Sequence, residues 1–439
     1  MESYYSCDFV RFVFPDTHGV SRSKVIPREE LHDAYTNGIG IASSEYTHRR
    51  RGEPVGSMFA HVDLEHVAKS FTLKAVEGSF RVVPWSGDGK YSVGEVLGEP
   101  SEADEADRVL NTRYIARKQL DRLRENGYQL LSAFEMEQVF MDDASMQPIF
   151  NGSDYLSSFA IFQQEKLIFD IKTQMKRYGV PLTSISAELS PGQVEYTMKP
   201  SYDIDCPDQC FRAREGLQEI CHQKGILCSF MTVAEKSANP SGYHFNHSLW
   251  TADGQSAFFD DKNSDKMSQL ARYWIGGLQK HSRAMTALVC PTVNCYRRLN
   301  RKFSISHNGW ALESRWQTYR MKSGTPNSTY LENRLPSSSA NPYLVLAATV
   351  AAGLDGILKK IDPVQSDVSK EGLQELPNSL AEALEALEED EVMVNAIGSE
   401  FIKLFCLLKR HHDLVEMDGV DVKDDRPEDY KRECQFYQR

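Results

Sequence analysis

Tyr128–Met141 reads YQLLSAFEMEQVFM, and its alternation decides how the rest of the chain is read. Successive side chains of a strand point to opposite faces. Glu135 and Glu137 therefore share one face, and Phe134 and Met136 share the other. Paired carboxylates on an otherwise apolar strand have two explanations. Either both are solvated, the usual state of a glutamate, or they surround a cation. AELSPGQVEY (Ala187–Tyr196) poses the same choice, with Glu188 and Glu195 on either side of the turn at Pro191 and Gly192. GYHFNHSL (Gly242–Leu249) adds His244 and His247 as possible ligands, and YLENRLP (Tyr330–Pro336) puts Glu332 beside Arg334. This donor set suits hard divalent cations such as Mg²⁺ or Mn²⁺, which prefer oxygen ligands. Arginines accompany it in segments of buried character: Arg298 in NCYRRL, Arg315 and Arg320 in SRWQTYR, and Arg334. Guanidinium suits bidentate recognition of carboxylate or phosphate. Metals and arginines together neutralise the charge of a transferring phosphoryl group. The residues by themselves lead to a metal-dependent phosphoryl-transfer enzyme.

The chain has 439 residues, more than one hydrophobic core supports, so two domains are expected. Net charge is −12, from 50 basic and 62 acidic residues, which disfavours nucleic acid and membrane surfaces as partners. The basic run HRRR (His48–Arg51) reads as a solvated loop. Nine cysteines are scattered, and neither Cys206/Cys210 nor Cys290/Cys295 has zinc-site spacing. With no signal-peptide pattern and no run of about 18 apolar residues, the expectation is a reduced, cytoplasmic protein.

FVRFVF (Phe9–Phe14) predicts a strand and Asp16–Gly19 a turn, while SFRVVPW (Ser79–Trp85) predicts a second strand. GEPSEADEADR (Gly98–Arg108) shifts composition and reads as a linker. A helix is predicted from an Asn111 cap to Gly127, another over Asp208–Lys224, and a strand over ILCSFMTV. ANPYLVLAATVAAGLDGILKKI starts with Asn341 and Pro342 and is apolar on nearly all sides, the pattern of a buried helix. Ser379 and Glu382 form a capping box, and SEFIKLFCLLKRHH continues helically. The charged tail from about Val420 is expected to order only against a partner.

In order and spacing, DTHGVSRSKVIP, AFEMEQVF, AELSPGQVE, SGYHFNHSLW, PTVNCYRRL, LENRLPSSSANPYL and LPNSLAEALEALEED resemble the glutamine synthetase superfamily, type I branch, over nearly the whole chain. The first and last segments are similar in wording to the lengsin subgroup, regarded as non-catalytic. The resemblance implies an α+β fold: a small N-terminal β-grasp domain, residues 1–105, and a larger catalytic α/β barrel domain, residues 106–439. It implies that Glu137, Glu188 and Glu195 hold one metal, and that Glu135, Glu332 and His244 hold a second. Glutamate would meet Arg298, Arg334 and Gly242. ATP phosphates would meet Arg315 and Arg320, with Ser248 near the nucleotide and Arg298 and Arg315 taking part in catalysis. Family sites lie between subunits of a ring, commonly a dodecamer of two hexamers.

Departures from the family pattern are specific. Ser304 stands where the family keeps its flap glutamate, and Ala42 lies at or near the aspartate that binds ammonium. Pro240 replaces a glycine, Asn246 a histidine and Tyr330 an arginine. Lys359–Pro377 has no tyrosine, which argues against adenylylation control. Two readings follow: an ATP-dependent γ-glutamyl ligase using ammonia or, preferred, a larger amine, and a lengsin-like non-catalytic assembly protein.

Overall fold

The computed structural model describes residues 6–48, 69–150, 155–235, 238–301, 304–364, 372–424 and 426–437. Arg49–Arg51 of the basic run lie outside them.

The N-terminal part is a six-stranded sheet of β1 (Phe9–Pro15), β2 (Ser21–Pro27), β3 (Ile39–Ala42), β4 (Ser70–Ala75), β5 (Arg81–Val82) and β6 (Val93–Pro100). Its order is β2-β1-β6-β4-β3, with β5 on β6. The predicted turn joins β1 to β2. The Asp16 carboxylate accepts from the His18 and Val20 amides at 2.8 and 2.9 Å, so the loop closes on its own side chain. The SFRVVPW strand shrinks to two residues. GEPSEADEADR is no plain linker, because β6 runs through Pro100 and Glu105–Arg108 is helical. One apolar face of this sheet carries Val10, Phe12, Phe14, Phe71 and Leu73. It is sealed by Leu404 and Leu408 from the helix Ser399–Leu408, near the other end of the chain.

The larger part is built on β7 (Tyr128–Asp142), β8 (Leu182–Ala187), β9 (Gln193–Met198), β10 (Ser201–Tyr202), β11 (Ile226–Ser229), β12 (Tyr243–Thr251), β13 (Trp310–Leu312), β14 (Tyr319–Lys322) and β15 (Tyr330–Asn333). These form a curled nine-stranded sheet in the order β13-β14-β15-β12-β7-β9-β8, with β10 and β11 also on β7. At 15 residues β7 is long enough to serve all these neighbours.

Helices pack behind the sheet. Thr112–Glu125 is capped by Asn111 as predicted, and the Asp208–Lys224 helix is found at Asp205–His222. Pro342–Lys359 starts at Asn341, whose side chain accepts from the Tyr343 amide. By length and composition this helix is apolar enough to cross a membrane, yet it is 83% buried inside the protein. It touches Gln269–Val289 almost backbone to backbone. A Cβ at Gly277 would lie 2.2 Å from the Ala352 carbonyl oxygen, a separation only glycine allows.

The tail differs from expectation. Pro427–Tyr437 is a helix docked on its own chain. Its fully buried Glu433 receives the Arg297 Nε at 2.9 Å and the Asn294 amide at 2.6 Å, while the Arg297 guanidinium lies 4.2 Å over the Tyr430 ring. The composition of the tail concealed this, because an internal ion pair and a solvated charge use the same residue types. All nine cysteines are free thiols, eight of them buried.

Candidate active site

Strand register assembles the site. β7 pairs with β9 so that Glu137 faces Glu195, and with β12 so that Glu135 faces His244. β12 pairs with β15, placing Asn246 opposite Glu332, and β15 pairs with β14, placing Glu332 opposite Arg320. Cross-strand partners project to the same side of a sheet. One face of four consecutive pairings therefore carries Glu195, Glu137, Glu135, His244, Asn246, Glu332 and Arg320 as a continuous polar row. Phe134, Met136, Tyr243 and Phe245 take the other face and are buried in the core.

Local geometry fixes the row. Gly192 sits at φ +69°, and a Cβ there would meet the Phe140 carbonyl oxygen at 2.4 Å, so the turn between Glu188 and Glu195 requires glycine. Glu137 accepts from the Gly242 amide at 2.9 Å and from the Gln193 side chain at 3.1 Å, which also donates to Ser241. Glu135 accepts from Asn246 at 2.9 Å, and His244 Nδ1 lies 3.3 Å from Glu135 and 3.4 Å from Glu332.

Among the described residues, two groups of donors converge within 4.8 Å: Glu135, His244 and Glu332, and Glu137, Glu195 and His244. The first matches the expected trio. In the second, His244 stands with Glu137 and Glu195. Glu188 lies next to them electrostatically, where the charge of Glu137 acts on it. The protonation behaviour tests whether a cation fits. Burial, followed by the charges of Glu135, Glu137, Glu188 and Glu332, pushes Glu195 up to about 9. Burial and the charge of Glu137 push Glu188 up to about 8 against the pull of Arg315. Burial acts on Glu135 in the same sense, but His244 and Asn246 outweigh it and hold that carboxyl at about 2. Glu332 is likewise brought below the usual range, against burial, by His244 and Arg334. The Glu188–Glu195 end of the row thus lacks balancing protein cations and holds its carboxyls protonated near neutral pH, and a divalent cation would take the place of those protons. Oxygen-rich, half-buried and electron-donating, the row fits divalent cations.

The arginines divide. Arg320 donates to Glu332 at 3.1 Å and to Glu313 at 3.0 Å, and Arg334 donates to the other oxygen of Glu332. Arg298 is buried and donates to the Leu335 carbonyl at 2.8 Å and the Arg334 carbonyl at 2.5 Å. Arg315 is exposed on the β13–β14 connection. Ser248 is buried further along β12, on the His244 face, and accepts from the Trp250 indole at 2.9 Å. His247 is not in the row. A spacing of three on a strand reverses the face, so it lies in the core and accepts from the Trp274 indole at 2.9 Å. Burial lowers its pKa to about 4. Asn246, Gln193 and Ser241 were not picked out as part of the donor network by sequence reasoning. The alternation His244-x-Asn246 was the signal available for the first of them.

The family model described as glutamine synthetase, catalytic domain, matches residues 109–424. The chain belongs to the glutamine synthetase family. Lengsin of Rattus norvegicus is 30% identical over 417 residues, spanning 92% of this chain and 72% of that protein. Glutamate–methylamine ligase of Methyloversatilis universalis is 30% identical over 424 residues, spanning 89% of this chain and 90% of its own. A solved structure described as a GmaS/ADP complex matches with a TM-score of 0.80 at 26% identity, covering 93% of each chain. These findings agree with the glutamine synthetase fold and with the carbon–nitrogen ligase class expected from the motifs.

Proposed function

We propose that this glutamine synthetase-family chain is an ATP-dependent γ-glutamyl ligase that joins glutamate to an amine larger than ammonia. The observation that carries the reading is the cross-strand row from Glu195 to Arg320, whose charge calls for divalent cations. A relative of equal identity named glutamate–methylamine ligase supports it. Ser304 and Ala42, at positions where the family pattern has acids for ammonium, support the choice of amine. Ala42 ends β3 and is exposed.

In this reading Glu135, Glu332 and His244 hold one Mg²⁺ or Mn²⁺, and Glu137, Glu188 and Glu195 hold another. When bound, these ions supply charge screening for the phosphates. Arg315 and Arg320 hold phosphate oxygens. Arg298, Arg334 and Gly242 orient glutamate, and Ser248 lies on the nucleotide side. A γ-carboxylate oxygen of glutamate attacks the γ-phosphorus of ATP, and the bond to the bridging oxygen breaks as ADP leaves. The amine nitrogen then attacks the acyl carbon. The C–N bond forms, the C–O bond breaks, phosphate departs with the electron pair, and the amine proton passes to a base. The chain works as two domains, 1–105 and 106–439, in rings of the family type (a dodecamer of two hexamers) in the cytoplasm.

A second reading, a lengsin-like non-catalytic assembly protein, is favoured by the 30% identity to rat lengsin. Phosphate release with ATP, Mg²⁺ and glutamate, measured across ammonium and a panel of primary amines and polyamines, separates the two. Amine-dependent release that Glu137→Ala abolishes supports the ligase. Assembled protein that releases no phosphate with any amine rejects it.

A further inference from the structure

Two strands of the sheet lay out the site in the same order along their length. The site face of β12, from the residue before it, reads Gly242, His244, Asn246, Ser248 at steps of two, and that of β15, to the residue after it, reads Tyr330, Glu332, Arg334. In the ligase reading Gly242 and Arg334 orient glutamate, His244 and Glu332 hold metal, and Ser248 lies on the nucleotide side. Both strands therefore run from glutamate through metal to nucleotide. Asn246 lies opposite Glu332, so one step further along the face sets Ser248 level with Tyr330. The register of β14 places Lys322 opposite Tyr330. Lys322 is two residues past Arg320, on the same face and roughly 7 Å further along at strand rise.

The cations of this face are not equally engaged. Arg320 is held by Glu332 and Glu313, and Arg334 by Glu332. Half-buried Lys322 forms no ion pair among the described residues. Its Nζ donates to the hydroxyl of half-buried Tyr330 at 2.8 Å and lies 5.0 Å from the centre of that ring. An ammonium carries three N–H donors, so two remain for a ligand.

Building on the ligase reading, we propose that Lys322, steadied by Tyr330, binds the phosphates that stay on ADP. Arg320 and the Glu332 metal take the phosphate that is transferred, and Lys322 stands one step nearer Ser248, where the rest of the nucleotide must follow. A lysine on a flexible stem is a compact charge suited to phosphate oxygens. A glutamate carboxylate is the other anion of the reaction, but Arg334 and Gly242 place it at the opposite end of both strands. The family pattern has an arginine at Tyr330, and here the cation stands on the facing strand instead.

Titration calorimetry of Mg-ADP on assembled protein tests this without turnover. Lys322→Met is expected to weaken Mg-ADP about 10- to 100-fold, the share of a charge-assisted hydrogen bond, and Lys322→Arg to recover most of the loss. Tyr330→Phe, which keeps the ring and the lysine, should weaken Mg-ADP less than Lys322→Met. Mn²⁺ affinity without nucleotide and the ligand-free thermal midpoint should not fall in Lys322→Met. Unchanged Mg-ADP affinity in Lys322→Met would overturn the proposal and leave the ligase reading standing. A parallel loss of Mn²⁺ affinity would overturn it too, by showing that the substitution disturbs the whole site. Weakened Mg-ADP binding in Lys322→Met, where wild type releases no phosphate with any amine, supports the nucleotide contact and removes the ligase reading instead.

Discussion

Glu195→Gln in the metal-free protein is predicted to stabilise the fold while abolishing its response to metal. The folded carboxyl of Glu195 has its pKa near 9, against an ordinary value near 4.5. The folded state therefore binds the proton more tightly than the unfolded chain does. Stability from this group is full below about pH 4.5 and is lost as pH rises toward 9. Each unit of pH in that window costs about 1.4 kcal/mol, so the loss at pH 7 is on the order of 3 kcal/mol. A divalent cation reverses the sign by favouring the ionised form. Glutamine keeps the shape of the side chain and never ionises. The assay is the thermal midpoint in EDTA and in excess Mg²⁺, between pH 6 and 9. Wild type in EDTA should lose stability as pH rises, and Mg²⁺ should restore it. Glu195→Gln should show a shallower pH dependence in EDTA, exceed wild type at pH 8.5, and gain little from Mg²⁺. A variant less stable than wild type in EDTA at pH 8.5, or equally stabilised by Mg²⁺, would refute the electrostatic account of the row.

Other consequences are equally direct. A Cβ at Gly242 would stand 2.8 Å from Nε2 of His244 and 3.4 Å from Glu137. Gly242→Ala should therefore weaken Mn²⁺ binding about 10-fold or more by titration calorimetry, with the metal-free thermal midpoint little changed. Glu433→Ala leaves the buried Arg297 without its carboxylate and should cost about 3–5 kcal/mol in denaturant unfolding. Gly277→Ala forces the two core helices apart at the Ala352 carbonyl and should cost about 1–3 kcal/mol in the same measurement.

The elements that were legible in the sequence are those specified locally. Asn111 and Asn341 announced their helices because an N-cap is a contact between residues a few positions apart. The alternation of Phe134-Glu135-Met136-Glu137 placed both carboxylates on one face because a strand has a fixed period of two. Where a local pattern had competing outcomes, reading failed. SFRVVPW has strand residues, yet only Arg81 and Val82 find a partner strand, on β6. His247 has the chemistry of a ligand, but its odd spacing from His244 turned it into the core.

By itself, the sequence determined the donor chemistry, the face of β7 that carries it and the family of the chain, all of them properties of residue type and order. Tertiary structure alone decided which donors meet. Glu137 opposite Glu195, Glu135 opposite His244 and Glu332 opposite Asn246 are pairings between strands far apart in the chain, set by the core packing on the other face. The same packing dehydrates the row. Within that dry row His244 and Asn246 hold Glu135 near 2 against burial, while burial and the neighbouring carboxylates push Glu195 to about 9, a difference that identical side chains cannot express until the fold has surrounded them.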